Sequence, residues 1–213
     1  EYNALLNSFK NLSLEDLKSV QLLNRHDTKF VFNKKFLPEI LSLLSSSYKI
    51  LKINGCNRFT YNNVYFDTNN LLFYNQHHNE KRNRYKVRFR NYSATDDCFF
   101  EIKTKNNKNR TIKNRIKVDQ SRNHLNDNEK QMLTELTTVS ADSLEPKLNV
   151  DFSRITLSDN ELTERLTIDT NLSVKNGIAY QLFDQLVIAE IKQNMYNPKS
   201  RFIQIIRKLK ISE

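Results

Sequence analysis

Between Arg84 and Tyr92 the chain alternates strictly: Lys86, Arg88 and Arg90 take every second place, and Tyr85, Val87 and Phe89 the places between. Successive side chains of a strand point to opposite faces, so a period of two puts all three cations on one face and the apolar residues on the other. A helix would scatter both sets around its circumference. The run is therefore constrained to be a half-buried β-strand whose wet side is cationic.

Five other runs repeat the pattern. Arg25, Asp27 and Lys29 oppose Phe30 and Phe32; Glu101, Lys103 and Lys105 oppose Phe100 and Ile102; Lys113, Arg115 and Lys117 oppose Ile112, Ile116 and Val118. Arg165, Thr167 and Asp169 oppose Leu166 and Ile168, while Glu190 and Lys192 oppose Ala189 and Ile191. An antiparallel sheet with one face in water carries charge on that face for free. Here, however, the wet faces are mostly Arg and Lys, and like charges set opposite one another destabilise a sheet. A face of this kind calls for a compensating anion. Arg offers a planar fork to phosphate oxygens and Lys a compact point charge. The interspersed carboxylates Glu101, Asp169 and Glu190 suit a divalent cation bridging such oxygens.

The strand-like runs are 25–32, 59–67, 84–92, 98–105, 111–118, 147–155, 164–170 and 185–193. Eight strands with short connections predict a mainly β (α+β) fold: an antiparallel barrel or sandwich with flanking helices, one domain over residues 1–213. In a closed barrel the charged faces would line a tunnel. Ser13-Leu14-Glu15-Asp16 predicts a helix start with an N-cap and acids in the first turn. Apolar spacing predicts further helices over Phe36 to Ser47, about Asn126 to Thr138 and about Lys199 to Leu209. Arg154 stands two residues from Phe152 and four from Val150. Strict alternation would put it on the core face unless a bulge near Ser153 turned it.

Composition narrows the function. Two glycines in 213 residues exclude a Gly-rich phosphate loop or a dinucleotide fingerprint. The net charge of +10 favours a polyanionic partner. Nucleic acid is not expected, because its usual sign is basic residues beside exposed stacking aromatics, and the aromatics here read as core. Cys56 and Cys98 fit neither a disulfide framework nor a zinc site, so both are expected as free thiols of a cytoplasmic chain. No signal peptide and no apolar run of about 18 residues is recognisable, so no membrane span is expected.

These segments, taken in order, resemble the VTC (vacuolar transporter chaperone) domain, of the polyphosphate polymerase type, within the triphosphate tunnel metalloenzyme superfamily. The resemblance rests on Arg25-His26-Asp27-Thr28-Lys29-Phe30, Tyr65-Phe66-Asp67-Thr68, Lys86-Val87-Arg88-Phe89-Arg90, Phe100-Glu101-Ile102-Lys103 and Lys113-Asn114-Arg115. It continues through Arg154, Glu164-Arg165-Leu166-Thr167-Ile168-Asp169, Ala189-Glu190-Ile191-Lys192 and Lys199-Ser200-Arg201-Phe202, covering about residues 20 to 206. It implies an eight-stranded tunnel barrel that binds ATP, triphosphate or polyphosphate with Mn²⁺ or Mg²⁺, and moves the γ-phosphoryl of ATP onto polyphosphate. It implies that Lys29, Arg88, Arg90, Lys103 and Arg165 carry the reaction. Arg25, Lys86, Lys105, Lys113, Arg115, Arg154, Lys192 and Arg201 would bind further phosphate, and Glu190, with Glu101 and Asp169, the metal. A membrane partner protein is compatible with this, placing the chain at the inner face of a membrane.

Two positions depart from the family pattern. The wider superfamily opens with Glu-x-Glu-x-Lys, whereas this chain reads Arg25-His26-Asp27-Thr28-Lys29 with Asp27 where Glu is common, one carboxylate fewer for a two-metal hydrolase. Arg201 replaces the Lys of a Ser-Lys-Phe motif. His77-His78 reads as a polar loop, and Asp67 as a strand-end turn residue. The competing functions are a tripolyphosphate or nucleoside triphosphate hydrolase and a non-catalytic polyphosphate sensor.

Overall fold

The structure is a computed structural model that describes residues 2–19, 26–107 and 110–212. Among these residues eleven strands form: β1 (Lys10–Leu12), β2 (His26–Asn33), β3 (Tyr48–Leu51), β4 (Phe59–Thr68), β5 (Arg84–Tyr92), β6 (Asp97–Lys105), β7 (Thr111–Val118), β8 (Leu144–Asp159), β9 (Glu164–Asn176), β10 (Ala179–Phe183) and β11 (Leu186–Gln193). The α-helices are α1 (Asn3–Leu6), α2 (Leu14–Ser19), α3 (Leu37–Leu44), α4 (Leu72–His78), α5 (Asp127–Leu136) and α6 (Arg201–Lys208). None of the described helices is long and apolar enough to cross a membrane. The eight expected strands are β2, β4 to β9 and β11, each within a few residues of its expected bounds except that β8 and β9 run longer.

The chain folds as two compact units. One comprises residues 1–60, 152–172 and 182–213, and the other residues 61–151 and 173–181. In the first unit the strands run β2-β11-β9-β8, with β3 on the far side of β8 and β1 parallel to β3. Phe30, Phe32, Ile155, Leu157, Leu166, Ile168, Val187, Ala189 and Ile191 make the apolar face, which α1, α3 and α6 cover with Leu6, Ile40, Leu41, Phe202 and Ile206. Seven of the nine lie at the alternate positions that the sequence pattern selects; Ile155 and Leu157 have the opposite parity from the one read as core on β8. Removing this much aliphatic and aromatic surface from water is what holds the layer together, at about 25 cal/mol per Å² buried.

The second unit is a meander. β4, β5, β6 and β7 follow one another antiparallel, and β8 lies beside β4. Its core is Phe66, Phe73, Val87, Phe89, Phe100, Ile102 and Leu133. α5 starts with a capping box, in which the Asn126 side chain accepts from the Glu129 N–H and Glu129 accepts from the Asn126 N–H.

Three expectations change. β2 and β7 each have one strand partner among the described residues, so hydrogen bonding does not close the sheet into a barrel. Both edges carry the lysines that keep open edges from pairing with other chains, Lys29 on β2 and Lys113 and Lys117 on β7. The second helix stops at Leu44 instead of Ser47 and buries Leu37 and Leu41 alongside Ile40 and Leu44. His77-His78 is not loop but the last turn of α4. That helix is started by the buried Asp67, which accepts from the N–H groups of Phe73 and Tyr74, both at 2.8 Å. Asp67 is thus the structural residue expected, acting as a remote N-cap.

Candidate functional site

The second unit carries the denser charge. Register sets its polar face out in rows across β5, β6 and β7. Lys86, Lys103 and Lys113 are directly opposite one another in one row, and Arg88, Glu101 and Arg115 in the next. Arg90, Phe99 and Lys117 form the third. On the β4 side Tyr65 faces Arg88 and Asn63 faces Arg90.

Glu101 is the organising carboxylate. It is 1% exposed. Arg88 donates to its Oε2 from Nε at 3.0 Å and Nη2 at 2.7 Å, and Lys113 pairs with its Oε1. Burial alone would raise its pKa, but Arg88, Lys113 and Arg90 together outweigh that and hold the carboxyl at about 2. Arg88 also donates to the Tyr65 hydroxyl at 2.7 Å. Arg90 donates from Nε to Asn63 Oδ1 at 2.7 Å, and Asn63 is itself fixed by donating to the Val150 carbonyl at 2.7 Å. Burial and then the neighbouring Arg88 pull Arg90 below its ordinary pKa, and burial does the same to Lys113. The face therefore holds more positive charge than its single buried carboxylate offsets. Lys105 closes the ladder, opposite Arg84 on one side and Thr111 on the other.

In the first unit the polar face is paired. Asp27, Lys192 and Arg165 lie opposite one another across β2, β11 and β9, and Lys29, Glu190 and Thr167 form the next row. The Lys192 ammonium lies 2.7 Å from Asp27 Oδ2 and 2.6 Å from Glu190 Oε2. Arg154 grips Asp169 with two bonds of 2.6 Å. Burial opposes ionisation of Glu190, yet Lys192, Lys29 and Arg154 lower its pKa overall. Arg154 does share a face with Phe152, whose ring lies 5.0 Å beneath its guanidinium. That face is the charged one. Alternation was kept, and the error lay in taking Phe152 as core.

The carboxylates differ as metal donors. Both oxygens of Glu101 are engaged by protein cations, Oε2 by Arg88 and Oε1 by Lys113. Asp169 spends both of its oxygens on Arg154. Glu190 fits better: Oε2 is held by Lys192, while Oε1 lies 3.9 Å from Lys29, beyond hydrogen-bond distance. No cluster of three or more His, Cys, Asp or Glu that could hold an ion forms among the described residues. Mg²⁺ and Mn²⁺ commonly use one or two carboxylates and take their remaining ligands from substrate phosphates. Glu190 fits that donor set.

The sequence signature of the VTC domain matches residues 24–211. The chain belongs to the VTC domain family. No curated protein sequence matches significantly. Among solved structures, the VTC chain is similar to a Hippeastrum protein described as an adenylyl cyclase candidate with a dominant triphosphatase activity. The two share 14% identity over 86% of this chain and 85% of that one, with a TM-score of 0.50. An adenylate cyclase candidate of Vibrio parahaemolyticus shares 11% identity over 87% and 89%, with a TM-score of 0.49. At such identity the likeness to the Hippeastrum protein shows a common fold.

Of the residues expected to form the site of this VTC domain, one described residue, Arg201, falls outside the clusters. Arg25 lies outside the described residues. Arg201 is exposed at the start of α6, a helix that packs on the apolar face of its unit. Its neighbour Ser200 is the structural member of that motif: it caps α6 and donates to the buried Glu164 at 2.8 Å. Glu164 also accepts from Gln193 at 2.6 Å and from the Tyr48 hydroxyl. Sequence reading also missed aromatic residues on a charged face. Tyr61, Tyr92 and Phe99 stand at the end of the second unit's ladder, although Tyr92 has the same parity as Arg90 and could have been found by counting on. Cys98 is buried, which pushes its thiol up to about 11, and both cysteines are free.

Proposed function

We propose that this VTC domain is a metal-dependent phosphotransferase that moves the γ-phosphoryl of ATP onto a polyphosphate chain. The observation that carries the reading is the row of Lys86, Lys103 and Lys113, set directly opposite one another beside Arg88, Arg90 and Arg115 with one buried carboxylate among them. Ammonium groups set directly opposite one another destabilise a sheet, and a phosphate chain, with a negative charge at each repeat, would offset that.

In the second unit these cations would bind and align phosphate groups. In the first, Lys29, Arg165 and Lys192 would do the same, with Arg154 held in place by Asp169. Glu190 would take a divalent ion, whose chemistry is to neutralise charge developing on the transferring phosphoryl oxygens. The attacking group is a terminal phosphate oxygen, already anionic. It forms a bond to the γ-phosphorus while the bond to the β-γ bridging oxygen breaks and ADP leaves. No general base is required. The work of the protein is in-line positioning and electrostatic stabilisation, for which fixed Arg and Lys side chains suffice.

A polymerase is favoured over a hydrolase by Asp27. Its carboxylate is shorter than the Glu common at that position and is engaged by Lys192 at 2.7 Å, so it is a poor second metal ligand for activating water. Incubation with ATP and Mn²⁺, followed by separation of long polyphosphate from orthophosphate, tests the reading. Long chains are expected. Orthophosphate alone would make the protein a triphosphate hydrolase, and uptake of tripolyphosphate without any turnover would make it a polyphosphate-binding module.

A further inference from the structure

The polar face of the second unit changes character along its length. Next to the Arg84 and Lys105 row at one end stands the all-lysine row, then the row of Tyr65, Arg88, Glu101 and Arg115. The far end is aromatic. Tyr61 lies directly opposite Tyr92 across β4 and β5, with ring centroids 5.1 Å apart, and Tyr92 meets Phe99 edge to face at 5.7 Å. All three rings are half-buried, so each still presents part of its surface to solvent. Their parity puts them on the charged face: Tyr92 follows Arg90 and Arg88 at steps of two, and Phe99 precedes Glu101 and Lys103 in the same way. Core residues Val64, Phe89 and Phe100 take the opposite face. Arg90 and Arg115 lie over the outer rings, at 5.5 Å from Tyr61 and 4.4 Å from Phe99. The rings therefore abut the cations that would bind phosphate.

We propose that Tyr61, Tyr92 and Phe99 form a nucleobase subsite, which lets this face take a nucleoside triphosphate in preference to an inorganic one. The inference rests on the phosphate-binding reading above and specifies one end of that site. Two arguments support it. The first is order: a nucleotide has charge at one end and a flat π-system at the other, and this face has cations followed by rings. The second is length. Residues on one strand face are about 7 Å apart, so Tyr92 lies roughly 13 Å along the strand from Arg88, a span comparable to that between the terminal phosphate and the base of an extended nucleotide. Rings serve any base, because every base has a π-face, so the subsite would distinguish nucleotide from triphosphate better than one base from another. Tyr92 is central, since it touches both other rings.

The test compares two ligands on one protein. Calorimetric titration of wild type with ATP and with tripolyphosphate, each with Mn²⁺, should show binding of both and tighter binding of ATP. Tyr92→Ala should weaken ATP by about 10-fold, as expected when one stacking partner is lost, and change tripolyphosphate by less than about twofold. Tyr92→Leu, which keeps apolar bulk if the alanine variant folds poorly, should show the same selective loss. Tyr92→Phe should behave as wild type, which separates the ring from the hydroxyl that approaches Glu101 at 3.5 Å. Equal loss of both ligands in Tyr92→Leu would make the ring structural and overturn the subsite, as would no loss of either. Wild-type protein that took up neither ligand would overturn the phosphate-binding reading and the subsite with it.

Discussion

The two charged faces differ in how they are neutralised. In the first unit Lys29, Arg154, Arg165 and Lys192 meet Asp27, Asp169 and Glu190, and the pairs are close, at 2.6 to 2.7 Å for Arg154 with Asp169 and Lys192 with its two acids. In the second, Lys86, Arg88, Arg90, Lys103, Lys113 and Arg115 are arranged around Glu101. The first face is nearly balanced, with three acids for four cations, and its carboxylates are available for chemistry only where one oxygen is spared. A face in surplus is held together by its one buried acid, Glu101, and by whatever anion arrives. Charge pattern in the sequence is much the same for both; charge balance separates them by role.

The largest consequence concerns Glu101. Replacing it by Gln removes the buried partner of Arg88 and Lys113 while leaving both cations in place, and breaking a buried pair from one side costs about 3–5 kcal/mol. Urea unfolding without ligand should show that loss, and tripolyphosphate should restore part of it. A variant as stable as wild type would mean that the second face is not in surplus. Glu190→Gln should do the opposite: it should leave tripolyphosphate binding intact while turnover of ATP with Mn²⁺ falls at least ~100-fold, the effect of losing a single electrostatic stabiliser. Normal turnover would remove Glu190 from the chemistry.

Ligand stabilisation should follow the surplus. Tripolyphosphate at ~100 times its Kd adds about 2.7 kcal/mol, which for a chain of this size raises the melting temperature by about 5–10 °C. Arg88→Ala combined with Arg90→Ala should abolish most of that gain, measured by differential scanning calorimetry. An unchanged gain would move the anion elsewhere, to the first unit or to the basic side of α6. The smallest effect is in acid. An unfolded glutamate takes up its proton near pH 4.3, whereas folded Glu101 does so at about 2. Its contribution is thus complete above about pH 4.5 and drains away as pH falls toward 2. Glu101→Gln should flatten that part of the stability–pH curve.

Alternation made the strands and their apolar faces legible, because parity is enough to sort Val87 from Arg88. It could not give register. That Lys86, Lys103 and Lys113 share a row depends on how β5, β6 and β7 slide against one another, and the pattern fixes that only to the nearest two residues. Short or unusual elements were also hidden. β1 and β3 are three and four residues long, too short to show a period, and β10 is exposed throughout, so it has none. α4 lacks an adjacent capping residue because its cap, Asp67, sits at the end of β4. Phe152 and Phe99 misled by residue type: both are aromatic, and both lie on a charged face against an arginine.

The pairing of β2 with β11 has a consequence in time. Asp27 meets Lys192, and Lys29 meets Glu190, across more than 150 residues of chain, so the first unit's sheet cannot be completed until the chain through Gln193 has left the ribosome. The β5-β6-β7 meander needs only residues 84 to 118 and can form much earlier, since local pairings close at small entropic cost. Until β11 emerges, β2 is a strand without that partner, and its apolar side chains Phe30 and Phe32 await a segment made more than 150 residues later.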